Sequence, residues 1–350
     1  MNTPLSRRTA LQAAGATVLA AGLSGGLTAA TAHADEANSA PKLVTYPLPS
    51  GMPTNAGFKV RVRTAPDGDW QTLDIYRPQL EEINPTTGSG KVYNSSMVYF
   101  NFRGSVELEI TYLKGGTTTA RVRPDSYGIK PELGGDTLVF TLDEPKDLVV
   151  QINAEIFDCL HIITNRIDPN PPAEDDPDVL YFGPGVHTVT GNVLNVPSGK
   201  TVYMAGGAVL SAQVYFKDVE KAGIKGHGVI ASPYNGILVE GSKNICAQDV
   251  IVLNPRGGYI STIGESQNVR YKKVRGFSSR GNGDGIDIFS SSDVVLDGCF
   301  LRNSDDCVAI YAHRWDYYGD TRDITVQNCT LWATSAHRVQ FWTVMSRVSP

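Results

Sequence analysis

Several features that would place the chain in a familiar class are missing. The five cysteines (Cys159, Cys246, Cys299, Cys307 and Cys329) are odd in number and include no close Cys-x-x-Cys pair. That pattern excludes a disulfide framework or a zinc site of ordinary spacing, and buried free thiols packed as small apolar groups are expected. Beyond residue 34 no apolar run is long enough to cross a bilayer, so stable membrane insertion is not expected. Positive charge is not in excess: 31 Lys and Arg stand against 36 Asp and Glu. A nucleic-acid partner is disfavoured on that balance. No cofactor motif is present, and no metal is called for. The sustained i, i+3, i+4, i+7 spacing of a helical repeat is also missing.

What is present is a chain of 350 residues, 41% apolar and 19% charged, which is globular in composition and has ample length for a core. With 35 glycines and 20 prolines, turns and short strands are favoured over long helices. Residues 1–34 read as a signal peptide, with Arg7-Arg8, an Ala/Leu/Gly-rich middle and Ala32-His33-Ala34 before Asp35. The arginine pair resembles a twin-arginine signal, which implies secretion and cleavage after Ala34. Removing Arg7 and Arg8 with that segment leaves 29 basic residues against 36 acidic ones, a net charge of −7.

The mature chain divides in two. From residue 35 to 166, short alternating runs are separated by turn signals: Phe58–Arg63, Met97–Phe102, Val106–Leu113, Thr119–Arg123, Thr137–Leu142 and Leu148–Ile152. Lys114-Gly115-Gly116-Thr117 reads as a hairpin turn between two of them. An antiparallel β-sandwich is expected. Residues 167–178 are rich in proline and acid and read as a linker.

From residue 179 to 350 a repeat takes over. Ile245, Ala247, Val250 and Val252 stand at relative positions 0, 2, 5 and 7. Val294, Leu296, Cys299 and Leu301 repeat the spacing, as do Ile324, Val326, Cys329 and Leu331. Weaker copies start at Val269 and Val219, so the starts lie 26, 24, 25 and 30 residues apart. Such a period means a solenoid. Two-residue alternation on both sides of a kink means two short strands meeting at a turn, and stacked coils of that kind form a right-handed parallel β-helix. Cys299 and Cys329 should be stack neighbours.

Two acid-then-strand units carry the chemistry. In Gly281-Asn282-Gly283-Asp284-Gly285-Ile286-Asp287, glycines let the backbone bend and leave room for a ligand. In Ser304-Asp305-Asp306-Cys307, two acids precede a second strand. Asp284 and Asp305 are 21 residues apart, close to one coil, so one turn of the solenoid brings three carboxylates to one face. Clustered carboxylates repel, so at least one should hold its proton near neutral pH. A proton-holding acid beside an ionised carboxylate is what glycoside hydrolysis requires. Adjacent Asp305 and Asp306 can both serve the site only if one lies in the turn before the strand.

These motifs resemble those of the polygalacturonase family, glycoside hydrolase family 28. Asn282-Gly283-Asp284-Gly285 is similar to its Asn-Thr-Asp-Gly motif, and Asp305-Asp306 to its Asp-Asp motif. Ala205–Leu210 and Gly226–Ile230 resemble its early coils. The resemblance covers about residues 178–337. It implies inverting hydrolysis of a polysaccharide, with Asp305 as general acid and Asp284 and Asp306 holding the attacking water. It also implies a histidine assisting the acid, for which His337 stands in Ser335-Ala336-His337-Arg338 without the family's flanking glycines. Asn282, Asp287 and Arg280 are expected to bind substrate, and His227, in an earlier coil, to be structural. A monomer without cofactor is expected.

Two departures shape the rest of the reading. The family's Arg-x-Lys motif for a substrate carboxylate does not follow His337, and the final RVQFWTVMSRVSP carries no further coil. A C-terminally incomplete product, marginal in fold and activity, is therefore expected. A sandwich followed by a β-helix also resembles the dextranase and isopullulanase family, glycoside hydrolase family 49, which implies an α-glucan as rival substrate to pectic polymers. Arg256, Arg280, Arg302 and Arg314 are candidates for a basic patch facing a polyanion. A non-catalytic carbohydrate-binding β-helix, or a lyase whose acids hold calcium, are the other classes.

Overall fold

The computed structural model describes residues 42–84 and 86–342. The expected signal segment, residues 1–34, and the final residues 343–350 lie outside the described residues. Among those described, regular structure is almost entirely β-strand, with two short 3-10 turns.

The first part is two five-stranded sheets packed face to face. One holds Leu43–Thr45, Ser96–Phe102, Leu160–Arg166, Leu148–Ile152 and Ala120–Arg123 in that order. The other holds Gln71–Leu73, Phe58–Thr64, Val106–Tyr112, Thr137–Leu142 and Glu132–Gly134. Period-2 alternation builds the core: Phe58, Val60 and Val62 point inward, while Arg61 and Arg63 face outward opposite Glu109 and Glu107. Two expectations are corrected. The Lys114–Thr117 turn leads from one sheet to the other, so its flanking strands do not pair. Leu160–Arg166 runs parallel to Ser96–Phe102, which makes that sheet mixed.

Ser96–Phe102 is buried along its whole length because it has two apolar neighbours. Val98, Phe100 and Phe102 fill the sandwich core. Met97 and Tyr99 point the other way and pack with Ile163 against Val209, Val229 and Ile251 of the second part. The two halves share this core. Arg275 and Arg302, both fully buried, cross the same seam to Asp147 and to the Ile156 carbonyl. Arg302 is thereby removed from any basic surface patch. His227 is also buried there, its Nδ1 against the Asn101 side chain.

The second part is a parallel β-helix of three seven-stranded sheets. The repeat read in the sequence forms the strands of its first two sheets, and Ile245, Ala247, Val250 and Val252 are all buried in the central stack. Each buried Ile or Val contributes roughly 1.5–3 kcal/mol by leaving water. Left-handed backbone recurs once per coil at Asn244, Asn268, Asp293 and Asp323. Asn and Asp tolerate that conformation better than other side-chain-bearing residues. At the preceding corner Ser242, Ser266 and Ser291 form a ladder: Ser242 N–H donates to Ser266 Oγ at 3.1 Å and Ser266 N–H to Ser291 Oγ at 3.0 Å. Cys299 and Cys329 do lie side by side, since Phe300 pairs with Thr330 and Thr330 N–H donates to the Cys299 carbonyl. The repeat pattern gave two strands per coil; the structure has a third. It includes Ile237–Glu240, Ser261–Gly264, Ile286–Phe289, Val308–Tyr311 and Gln340–Trp342.

Candidate active site

The third sheet positions the acids. Ser261 pairs with Ile286, Ile286 with Val308, and Ala309 with Gln340. Counting back from those pairs, Tyr259, Asp284, Asp306 and His337 occupy equivalent positions in four successive coils, at the turn where the second sheet passes into the third. Asp305 stands beside Asp306 in the same turn. Both acids precede the strand that begins at Val308, so strand alternation does not send them to opposite faces.

The turn before Asp284 is fixed by buried polar groups. Ser278 Oγ donates to the Gly283 carbonyl, and Asn303 Nδ2 donates to Ser278 Oγ at 2.8 Å. Ser304 Oγ donates to the Arg280 carbonyl. Gly285 lies so close to the Cys307 carbonyl oxygen that any Cβ there would overlap it, which explains the residue type better than turn geometry does. Ser278 and Asn303 were not found by sequence reasoning, because a single Ser and Asn near a strand carry no distinguishing pattern.

Electrostatics follows from crowding and burial. Asp284 is nearly buried, and its carboxyl is pushed up to about 7 by loss of water, then by Asp305 and Asp306, with Arg314 opposing. Asp305 is partly exposed and is also raised, by burial and by Asp306. Its Oδ1 accepts the Asp306 N–H at 3.0 Å. Asp306 Oδ1 accepts both the His337 N–H at 2.8 Å and His337 Nδ1 at 3.1 Å. The histidine expected to assist Asp305 is therefore bonded to Asp306.

Asp287 is fully buried, at 0% exposure. Both its carboxyl oxygens lack a hydrogen-bond donor in good geometry, and burial together with Asp284 drives its pKa well up. It alternates with the core residues Ile286 and Ile288 on its strand and is closed off from solvent, so it does not meet a substrate on the surface as expected. Its chemistry is that of a neutral acid held against Asp284. Asn282 and Arg280 are exposed on the loop before Asp284, where a polymer chain could reach them. Among the described residues, no group of three or more His, Cys, Asp or Glu is arranged to enclose a metal ion, and no helix is long and apolar enough to cross a membrane.

The model of the family "Glycosyl hydrolases family 28" matches residues 182–334, which lie within the β-helix. No curated protein matches the chain. Dex49A from Penicillium minioluteum superimposes with a TM-score of 0.51 at 13% identity, covering 83% of this chain and 72% of that one. The Yersinia enterocolitica family 28 exopolygalacturonase gives 0.37 at 10% identity over 73% and 68% of the two chains. The catalytic unit of the GH87 alpha-1,3-glucanase from Streptomyces thermodiastaticus gives 0.37 at 14% identity over 82% and 66%. The first likeness shows a shared fold.

Proposed function

Taking residues 182–334 as a family 28 glycosyl hydrolase domain, we propose that this glycoside hydrolase cleaves a pectic polyuronate with inversion at Asp284, Asp305 and Asp306. The observation that carries the reading is the column of Asp284, Asp306 and His337 with Asp305 beside it, in which Asp284 and Asp305 are both raised. Asp305 is the partly exposed member, reachable by a glycosidic oxygen, and a raised carboxyl there is suited to donate a proton to the leaving oxygen. Asp284 and Asp306 occupy one position in adjacent coils and flank a single water site. Asp306 already accepts two N–H groups on one oxygen, leaving the other to draw a proton from that water. Attack from the face opposite the leaving group inverts the anomeric centre. Asn282 and Arg280 line the approach, and exposed Arg280, Arg256 and Arg338 favour a polyanion. Export by the N-terminal signal would bring the enzyme to an extracellular polymer.

A neutral α-glucan is the second reading. It is favoured by the burial of Arg302, which withdraws one of the four candidate arginines. The test is reducing-sugar release by the full chain from polygalacturonate and dextran side by side, with the product anomer read by proton NMR. Release from polygalacturonate with an inverted first product is expected. Release from dextran alone would transfer the proposal to α-glucans. Release from neither, by folded protein, would overturn the hydrolytic reading.

A further inference from the structure

The coil that carries Asp305 and Asp306 is interrupted after Tyr311 by a hairpin, in which His313 and Arg314 pair with Tyr318 and Tyr317. The hairpin folds back over earlier coils. Tyr317 lies flat on Phe289, with ring centroids 5.2 Å apart and planes 7° apart, and rests where Gly264 has no side chain. Tyr318 N–H donates to Glu265 at 3.2 Å, Ser290 Oγ to the Ala312 carbonyl at 2.8 Å, and Thr321 Oγ1 to the Tyr311 carbonyl at 2.6 Å. Both legs are tied down. This is the cover that buries Phe289.

At the tip stands Trp315. Its φ of 55° is left-handed, a conformation that costs a bulky residue roughly 1–2 kcal/mol. Its ring meets Tyr259 edge to face at 6.3 Å and leans on Phe289 at 5.2 Å. The Arg314 guanidinium lies over it at 4.7 Å and over Tyr311 at 4.5 Å. Trp315 nevertheless remains 55% exposed. Tyr259, on which it rests, directly precedes Asp284 in the column of equivalent positions, and the Tyr259–Ile260 segment bonds to the Asp284 backbone. A strained, braced and exposed indole thus stands against the residue that precedes Asp284 in that column.

We propose that Trp315, supported by Tyr259 and oriented by Arg314, is a stacking subsite for one pyranose ring of the polysaccharide, next to the ring being cleaved. The proposal rests on the hydrolytic reading above. A pyranose has an apolar C–H face that an aromatic ring desolvates, whatever the charge at its rim. A rigid ring fixed at both sides loses little freedom when the sugar binds.

The test is steady-state kinetics of the full chain and its Trp315→Ala, Trp315→Phe and Tyr318→Ala variants on the polymer the wild type cleaves. Oligosaccharide binding to Asp305→Asn and to Asp305→Asn/Trp315→Ala is measured by calorimetry alongside. Trp315→Ala is expected to raise KM roughly tenfold with kcat within about twofold, and Trp315→Phe to recover much of the loss. The oligosaccharide should bind Asp305→Asn about tenfold more tightly than the double variant. Tyr318, 77% exposed on the same hairpin, serves as the structural control, and its removal should leave KM unchanged. Equal KM in wild type and Trp315→Ala, or equal loss in Trp315→Ala and Tyr318→Ala, would overturn the subsite while leaving the hydrolytic reading intact. No cleavage by the wild type and no binding by Asp305→Asn would overturn both.

Discussion

Asp306 Oδ1 accepts two hydrogen bonds from a single residue of the next coil, the backbone N–H of His337 at 2.8 Å and its Nδ1 at 3.1 Å. The ring bond requires a proton on Nδ1, and the His337 side chain is otherwise 64% exposed. The backbone bond holds Asp306 even when the ring is gone. His337→Ala should therefore lower kcat by roughly 10–100-fold with KM within about twofold. His337→Asn, whose amide can still donate to Asp306, should recover part of the rate. A His337→Ala enzyme with unchanged kcat would remove the histidine from the site.

Asp305→Asn tests the proton donor. An amide cannot protonate the leaving oxygen, yet it keeps the shape of the side chain and can still meet the Asp306 N–H through its oxygen. A kcat loss of roughly 10³-fold or more is expected, with oligosaccharide affinity retained. A loss of affinity that matches the loss of rate would mean that Asp305 binds substrate and does not donate the proton.

The Asp284 carboxyl, raised to about 7 in the fold from an ordinary value of 3.8, makes stability depend on pH with a defined sign. Between those values the folded chain binds more protons than the unfolded one, so stability falls as pH rises through that window. Asp284→Asn removes the titration. The variant should be more stable than wild type above pH 7, by up to about 4 kcal/mol, and the two curves should converge toward about pH 4. Urea unfolding from pH 4 to 8 measures it. Parallel curves across the range would show that Asp284 is not raised.

Gly285 can be tested independently of catalysis. Its missing Cβ lets the turn pass the Cys307 carbonyl, which is backbone and cannot swing aside. Gly285→Ala should cost about 2–4 kcal/mol through overpacking and displaced backbone. Thermal unfolding is the readout, and a variant that melts with the wild type would show that the close approach is not real.

Much of this architecture was legible because solenoids write their register into the sequence. Ile245, Val269, Val294 and Ile324 sit in one stack, so like residues recur at the coil spacing. The column of Asp284 and Asp306 was legible for the same reason. In the coils under the hairpin the third strand escaped the repeat because side chains, not water, lie on its outer face: Phe289 and Tyr311 pack with Tyr317, and alternation disappears. The complete burial of Asp287, expected as a substrate-binding residue, was likewise not announced by its neighbours in sequence. The sandwich strand Leu160–Arg166 escaped because it too is buried on both faces. Arg302 was assigned to the surface on residue type alone. Its partners, Trp332 and the Ile156 carbonyl, are 30 and 146 residues away.

Arg275 carries the final prediction. Its Nε and one terminal nitrogen reach both oxygens of Asp147 at 2.8 and 3.2 Å, and its other nitrogen donates to the Asp249 carbonyl at 3.0 Å. The side chain is 1% exposed, so salt should screen this pair weakly. The fork joins the β-helix to the sandwich at the margin of their shared core. Arg275→Ala should cost about 3–5 kcal/mol, because it leaves the Asp147 carboxylate with only the Thr164 N–H and no countercharge. Asp147→Ala alone should also be costly, by leaving the buried guanidinium with only the longer Asp249 contact at 3.7 Å as countercharge. Replacing both, as Asp147→Ala with Arg275→Met, removes the stranded charges and should restore most of the loss, giving a coupling well above 1 kcal/mol in the double-mutant cycle. Additive single-variant losses would instead mean that the two side chains act separately and that the apolar seam alone joins the two halves.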